Sequence, residues 1–255
     1  MFVFIYEKIT SMASHPPYNL LHLLVLDIET VPAYQSYEAL PDKWKQLWTA
    51  KISKTMPENF SPEEMYLRRA GIMAEFGKII CISTGFFYYD KAERLCFRIK
   101  SYQHSDEKKL LKEFVTKLES FQKAIPDFHF TGHNVKEFDI PYISRRLLIN
   151  QMPLPGFMQF SGKKPWETNM IDTMQLWKFG DYKNYTSLKL LSACLGIETS
   201  KDDMDGSKVK DVYYLDKDLK RIVEYCQKDV VAVAQIVLRF LNQSLLPDSN
   251  IFIAD

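Results

Sequence analysis

One stretch constrains this chain more than any other: Leu23-Leu24-Val25-Leu26-Asp27-Ile28-Glu29-Thr30, closed by Val31-Pro32. Four apolar residues run straight into an Asp-x-Glu pair. A continuous apolar run of this length, ended by a proline, reads as a strand buried on both faces. Alternate side chains of a strand point the same way, so Asp27 and Glu29 project together from one face. Two carboxylates side by side in an apolar sheet repel each other and lose hydration. A bound cation relieves both costs, because it favours the two ionised forms at once. The other reading of the pair is a frayed, solvated strand end. The residues that bear on this choice lie far downstream.

From about Ala33 to Phe76 no strand pattern appears, and the segment reads as two or three short helices inserted after the first strand. Pro41 and Ser61-Pro62 punctuate helix starts, and Glu63-Glu64 suits a first turn. Tyr37, Trp44, Trp48, Phe60 and Tyr66 alternate there with lysines, which fits the two faces of surface helices better than a base-stacking surface. Lys78 to Tyr89 reads as a strand, Asp90 to Glu93 as its turn and Arg94 to Lys100 as its hairpin partner. Ser105 reads as the N-cap of an amphipathic helix with Leu110, Leu111, Phe114, Val115, Leu118 and Phe121 on its apolar face. Asp127 to Thr131 is the next strand, ending at Gly132. Met170 to Thr173 is a short strand leading into a helix, Ser187 to Gly196 a helix with a glycine stop, and Asp218 to Asn242 the longest helix. The acidic stretch Lys201 to Gly206 lacks the closing glutamate of a calcium loop.

This order predicts an α/β fold: a mixed five-stranded sheet with an antiparallel hairpin at its edge and a parallel centre, flanked by helices. One domain is expected over residues 19–245, with the helical insertion at 33–76, a loose extension at 1–18 and a C-terminal tail at 246–255.

Composition removes several classes. A net charge of +1 over 255 residues gives no global basic field, so polyanion binding must be local to a cleft. No apolar run approaches bilayer length and the apolar start lacks a basic flank, so neither a membrane partner nor a secretory signal is expected. Cys81, Cys96, Cys194 and Cys226 form no C-x-x-C pair and read as reduced core residues of a cytoplasmic protein. Neither a G-x-G-x-x-G nor a G-x-x-x-x-G-K-[ST] phosphate loop occurs, which argues against a nucleotide-dependent metabolic enzyme.

Two later carboxylates complete a constellation. In Asn134-x-x-x-Phe138-Asp139, Asp139 stands where a helix should begin, and a simple N-cap with Pro141 in the first turn accounts for it locally. In Tyr225-x-x-x-Asp229, a phenol and a carboxylate share one helix face, beside the apolar run Val230-Val231-Ala232-Val233-Ala234. Asp27-x-Glu29-Thr30, Asn134-x-x-x-Phe138-Asp139 and Tyr225-x-x-x-Asp229, in this order, resemble the three motifs of the DEDDy 3′–5′ exonucleases. Within that branch the chain is similar to the stand-alone family related to family-B DNA polymerase proofreading domains, over roughly Leu23 to Phe240. Asp172-Thr173-Met174 and Asp203-Met204-Asp205-Gly206-Ser207 fit that pattern too.

The resemblance implies a ribonuclease H-like fold and a 3′–5′ exonuclease that hydrolyses phosphodiester bonds with two divalent cations, Mg²⁺ or Mn²⁺. By that resemblance Asp27 would bridge both ions, and Glu29 and Asp229 would complete the water-side site. Asp139 would hold the leaving-group ion and Tyr225 would orient the attacking water. Thr30 would sit near the terminal 3′-OH, with Asn134 and Phe138 supporting the second motif on the substrate side. The implied partner is the 3′ end of single-stranded nucleic acid, with DNA as the first reading. An exoribonuclease, and a non-catalytic module of the same fold that binds single strands or protein, remain open alternatives.

Overall fold

The computed structural model describes residues 18–181, 183, 185–198 and 204–254. The expected extension at 1–18 lies almost wholly outside them, as does the start of the acidic stretch at 201–206. The described chain forms a six-stranded sheet: β1 (Leu23–Pro32), β2 (Gly77–Tyr89), β3 (Leu95–Gln103), β4 (His129–Gly132), β5 (Met170–Asp172) and β6 (Ile251–Ala254). The spatial order is β5-β4-β1-β2-β3-β6. β1, β4 and β5 run parallel, β2 is antiparallel to both β1 and β3, and β6 pairs parallel with β3. The mixed sheet expected of a ribonuclease H-like fold is therefore present. It differs from the expectation in one strand: residues 246–255, read as a tail, carry β6, which covers the outer side of the hairpin.

The helices are α1 (Asp42–Ile52), α2 (Pro62–Arg69), α3 (Glu107–Ala124), α4 (Asp139–Ile149), α5 (Thr173–Trp177), α6 (Leu188–Cys194) and α7 (Leu219–Phe240). A short turn at Val209–Asp211 runs into a five-residue π-helix, Val212–Asp216, ahead of α7. Among the described residues no helix is long and apolar enough to cross a membrane.

Strand alternation decides where the acids go. Leu24, Leu26 and Ile28 of β1 pack into one cluster with Leu110, Leu111 and Phe114 of α3 and Ile140 and Ile143 of α4. Leu23 and Val25 face the other way, against Val230, Val233 and Val237 of α7, and Val31 joins Cys226 and Ile222 of α7. Asp27 and Glu29 share the parity of Leu23, Val25 and Val31, so they project toward α7. Gly85 on β2 lets that helix settle closely: a Cβ there would meet Phe97 Cζ at 2.2 Å and Val230 Cγ1 at 3.0 Å. The β1–β2 register shifts between Glu29 and Thr30, a bulge that turns the strand directly after the acid pair.

The insertion after β1 builds its own small core from Trp48, Tyr66, Ile52, Met65 and Phe76. Ser61 and Glu64 form a reciprocal capping box at the start of α2. The cysteines are all free; Cys81, Cys96 and Cys226 are buried as expected, but Cys194 is exposed at the end of α6.

Candidate active site

Three elements deliver the expected acids to one place. Asp27 and Glu29 stand two residues apart on β1, and Cys226 of α7 closes over them. One ligand atom from each of the three residues lies within 4.8 Å of the others. The Cys226 thiol donates to Asp27 Oδ2 at 3.3 Å and to the Asp27 carbonyl at 3.4 Å, fixing α7 to β1 at the acid pair. Asp139 arrives from the opposite layer. It is the first helical residue of α4, with Phe138 and not Asp139 at the N-cap, contrary to the simple N-cap reading. Its Oδ1 instead accepts from the Ile28 backbone N–H at 3.2 Å, between the two acids of β1. Asp229 lies one turn after Tyr225 on α7 and accepts a hydrogen bond from its phenol.

Glu29 and Asp139 are buried and Asp27 and Asp229 half-buried, and lost hydration raises all four carboxyls above the usual carboxylate range. Asp27 and Glu29 are pushed well above the carboxylate range, first by desolvation and then by mutual repulsion. The charges acting on Asp27 are Glu29, Asp139 and Asp229. Asp139 is raised to about 7 and Asp229 to about 6, again chiefly by burial. Burial beside these acids also raises the Tyr225 phenol, so it stays protonated. Glu29 is 7% exposed, and the groups that act on its carboxyl, Asp229, Cys81 and Asp139, all raise the cost of ionising it.

A pH dependence follows. Groups whose folded value exceeds the unfolded one, near 4, favour the fold fully below that pH and lose the contribution as pH rises through the folded value. His129 and His133 are shifted down by burial and act in the opposite sense, but they are two against four. In EDTA the melting temperature is expected to fall by about 5 °C or more between about pH 5 and pH 8, and less so in Mn²⁺. A melting temperature that rises over this window would show that the carboxyls are not crowded.

The second motif is held in shape by a residue outside it, at the end of a short strand. Asp172, 1% exposed at the end of β5, accepts from the backbone of Asn134 at 3.0 Å and of Lys136 at 3.1 Å. It also accepts from Met174 and Gln175 in the first turn of α5. Asn134 adopts a left-handed φ of 68°, a conformation in which asparagine is better tolerated than most residues. Its Oδ1 is buried with no partner among the described residues. His133 bridges the Thr173 hydroxyl at 2.9 Å and the Thr186 carbonyl at 2.8 Å. Phe138 packs its ring 5.4 Å from that of Tyr142, and the Thr30 hydroxyl meets the Tyr142 hydroxyl. Sequence reasoning passed over Cys226 and His133. For Cys226 a signal was present, since residues three apart, here Cys226 and Asp229, share a helix face.

Residues 72–246 match the family described as "Predicted 3'-5' exonuclease related to the exonuclease domain of PolB". The chain belongs to this family. The matched part of the PolB-related exonuclease region contains Asn134, Phe138, Asp139, Tyr225 and Asp229, while β1 with Asp27, Glu29 and Thr30 precedes it. No curated protein matches the chain. A solved family B DNA polymerase from the hyperthermophilic archaeon Pyrobaculum calidifontis is similar at 16% identity and a TM-score of 0.49, over 90% of this chain and 25% of that one. The chain thus spans a quarter of the length of that polymerase.

Proposed function

We propose that this PolB-related exonuclease is a metal-dependent 3′–5′ exonuclease that trims single-stranded nucleic acid, DNA in the first instance. Asp27, Glu29, Asp139 and Asp229 would hold two divalent cations, Mg²⁺ or Mn²⁺. The observation that carries the reading is the convergence of four carboxyls from β1, α4 and α7 in a buried setting where each raises the cost of ionising its neighbours. The donor set fits hard cations, which prefer carboxylate oxygens, and no positively charged side chain is among the groups acting on Asp27 or Glu29. When bound, such ions supply the Lewis acidity that activates water and stabilises a departing 3′ oxygen.

The chain's own residues supply position. The Ile28 N–H fixes Asp139 against β1, and the Cys226 thiol fixes the Asp27 carboxylate. Tyr225 cannot serve as a base at neutral pH, because its phenol is shifted upward; it acts as a hydrogen-bonding group that orients a water beside Asp229. Thr30, Asn134 and Phe138 line the substrate side. With Mn²⁺, a 5′-labelled oligonucleotide with a free 3′ end should give a ladder, and matched DNA and RNA strands would establish sugar preference. Cleavage of a circular single strand would count against an exonuclease, and no cleavage of any strand would remove the enzyme.

The two α7 residues separate in kinetics. Tyr225→Phe is expected to bind Mn²⁺ like the parent and to cleave about 10²-fold more slowly, the loss typical of a group that positions a reacting water. Asp229→Ala should lose metal-induced stabilisation together with cleavage. Calorimetry of Mn²⁺ binding and single-turnover cleavage read the two effects. Full activity in Tyr225→Phe would leave its hydroxyl as a core contact only.

A further inference from the structure

An acidic cluster repels the phosphates leading to it, so a strand presented to such a site needs a surface of opposite character. The connection between α5 and α6 has that character. Lys178, Lys183 and Lys189 stand in or beside it against a single acid, Asp181. Lys183 and Lys189 are exposed, and two large rings face solvent there: Phe179 is 87% exposed and Tyr185 69%. Exposed rings beside lysines are the elements from which sequence-tolerant single-strand surfaces are built.

The position of this segment matters as much as its composition. Thr186, next to Tyr185, is fastened through its carbonyl to His133, the residue before Asn134. Leu188 packs against the apolar clusters built around Val230, Val233 and Ile236 of α7. The residue after Tyr185 is thereby tied to the second acidic motif, and the helix that follows packs on α7. Phe179 lies further off: its ring is 6.4 Å from Trp177, which stacks on Phe240 of α7 at 6.4 Å and 7°. Phe240 stands about three turns beyond Asp229, about 16 Å along the helix axis.

We propose that Tyr185 and Phe179, with Lys183 beside them, form a platform for the single strand upstream of its 3′ end. Bases stack on the two rings and a phosphate meets the Lys183 ammonium. The strand's direction rests on the exonuclease reading; the stacking chemistry does not. A closed duplex presents no free base faces, so the platform selects single strands.

The test reads binding in EDTA, with no cleavage. Anisotropy of a labelled oligothymidylate of about twelve nucleotides, in competition with unlabelled strands from two nucleotides upward, gives the advantage of long over short strands. Tyr185→Ala and Phe179→Ala are each expected to reduce that advantage about tenfold, the effect of losing one stacked base. Tyr185→Phe should retain it, because the ring and not the hydroxyl makes the contact. Lys183→Gln should reduce the slope of log affinity against log salt by about 0.7, one phosphate contact on a single strand. An unchanged long-strand advantage in both alanine variants, including an equal loss for short and long strands, would overturn the platform. A parent that binds the long strand in EDTA yet cleaves nothing in Mn²⁺ would keep the platform and remove the exonuclease. Cleavage without any long-strand advantage would do the reverse.

Discussion

Asp27→Asn is expected to raise the melting temperature of the metal-free protein while abolishing cleavage. The two effects have one origin. Asp27 faces Glu29, Asp139 and Asp229 in a buried site, and the first cost it bears is lost hydration. The amide keeps the shape of the carboxyl and removes one charge from the crowd, so the other three ionise at lower cost. The gain should be clear at about pH 8, where the parent carries most of its repulsion, and small at about pH 5, where the carboxyls are protonated in both proteins. Removing the same charge costs the site its cations, which need the summed negative charge of their ligands. Cleavage should drop by at least about 10³-fold, because several kcal/mol of transition-state stabilisation come from metal ions in such hydrolyses. The Mn²⁺-induced rise in melting temperature should shrink in parallel. A variant less stable than the parent in EDTA at pH about 8 would show that Asp27 is a structural carboxylate satisfied by the Cys226 thiol, and the acidic site would have to be reread.

Much of this arrangement was legible in the sequence because it rests on local pattern. The apolar run into Asp27 gives β1, the stripe from Leu219 to Val237 gives α7, and the Asp90–Arg94 turn between two β-rich runs gives the hairpin. Strand alternation alone placed Asp27 and Glu29 on one face. The contacts that were not legible are long-range. Asp139 before Pro141 looks like any helix start, and only the fold reveals that its carboxylate reaches Ile28, 111 residues away. β6 has four residues and an ordinary composition; it is a strand because β3 offers it an open edge. Asp172 looks like the end of a short strand, yet it gathers backbone donors from the loop after β4 as well as from the first turn of α5, and the first of these no periodicity encodes. Cys194 carries the same lesson in reverse, since a helix end of apolar pattern left it in solvent.

The fold's largest single dependence is expected at Arg146, in the layer opposite α7. Its guanidinium meets both oxygens of Glu107 and donates to the Ala74 carbonyl at 2.8 Å. Glu107 in turn accepts from the Ile79 N–H at 2.7 Å and from Asn150 at 2.9 Å. The pair is buried, so each charge depends on the other. It joins the start of α3, the last turn of α4, the beginning of β2 and the end of the insertion. Arg146→Met fills similar space but leaves Glu107 ionised without a cation, at a cost of about 3–5 kcal/mol. For a chain of this size that corresponds to a fall in melting temperature of roughly 6–20 °C. The double variant Arg146→Met/Glu107→Leu should recover part of the loss, because no buried charge remains. Recovery stays incomplete: the Ile79 N–H and the Ala74 carbonyl lose their partners. The effect should also reach the acids. Asp139 opens the helix that Arg146 anchors, so Arg146→Met should weaken Mn²⁺ binding beyond its effect on stability, measured well below the melting temperature. A single variant as stable as the parent would mean that solvent reaches Glu107 and that the pair is a surface contact.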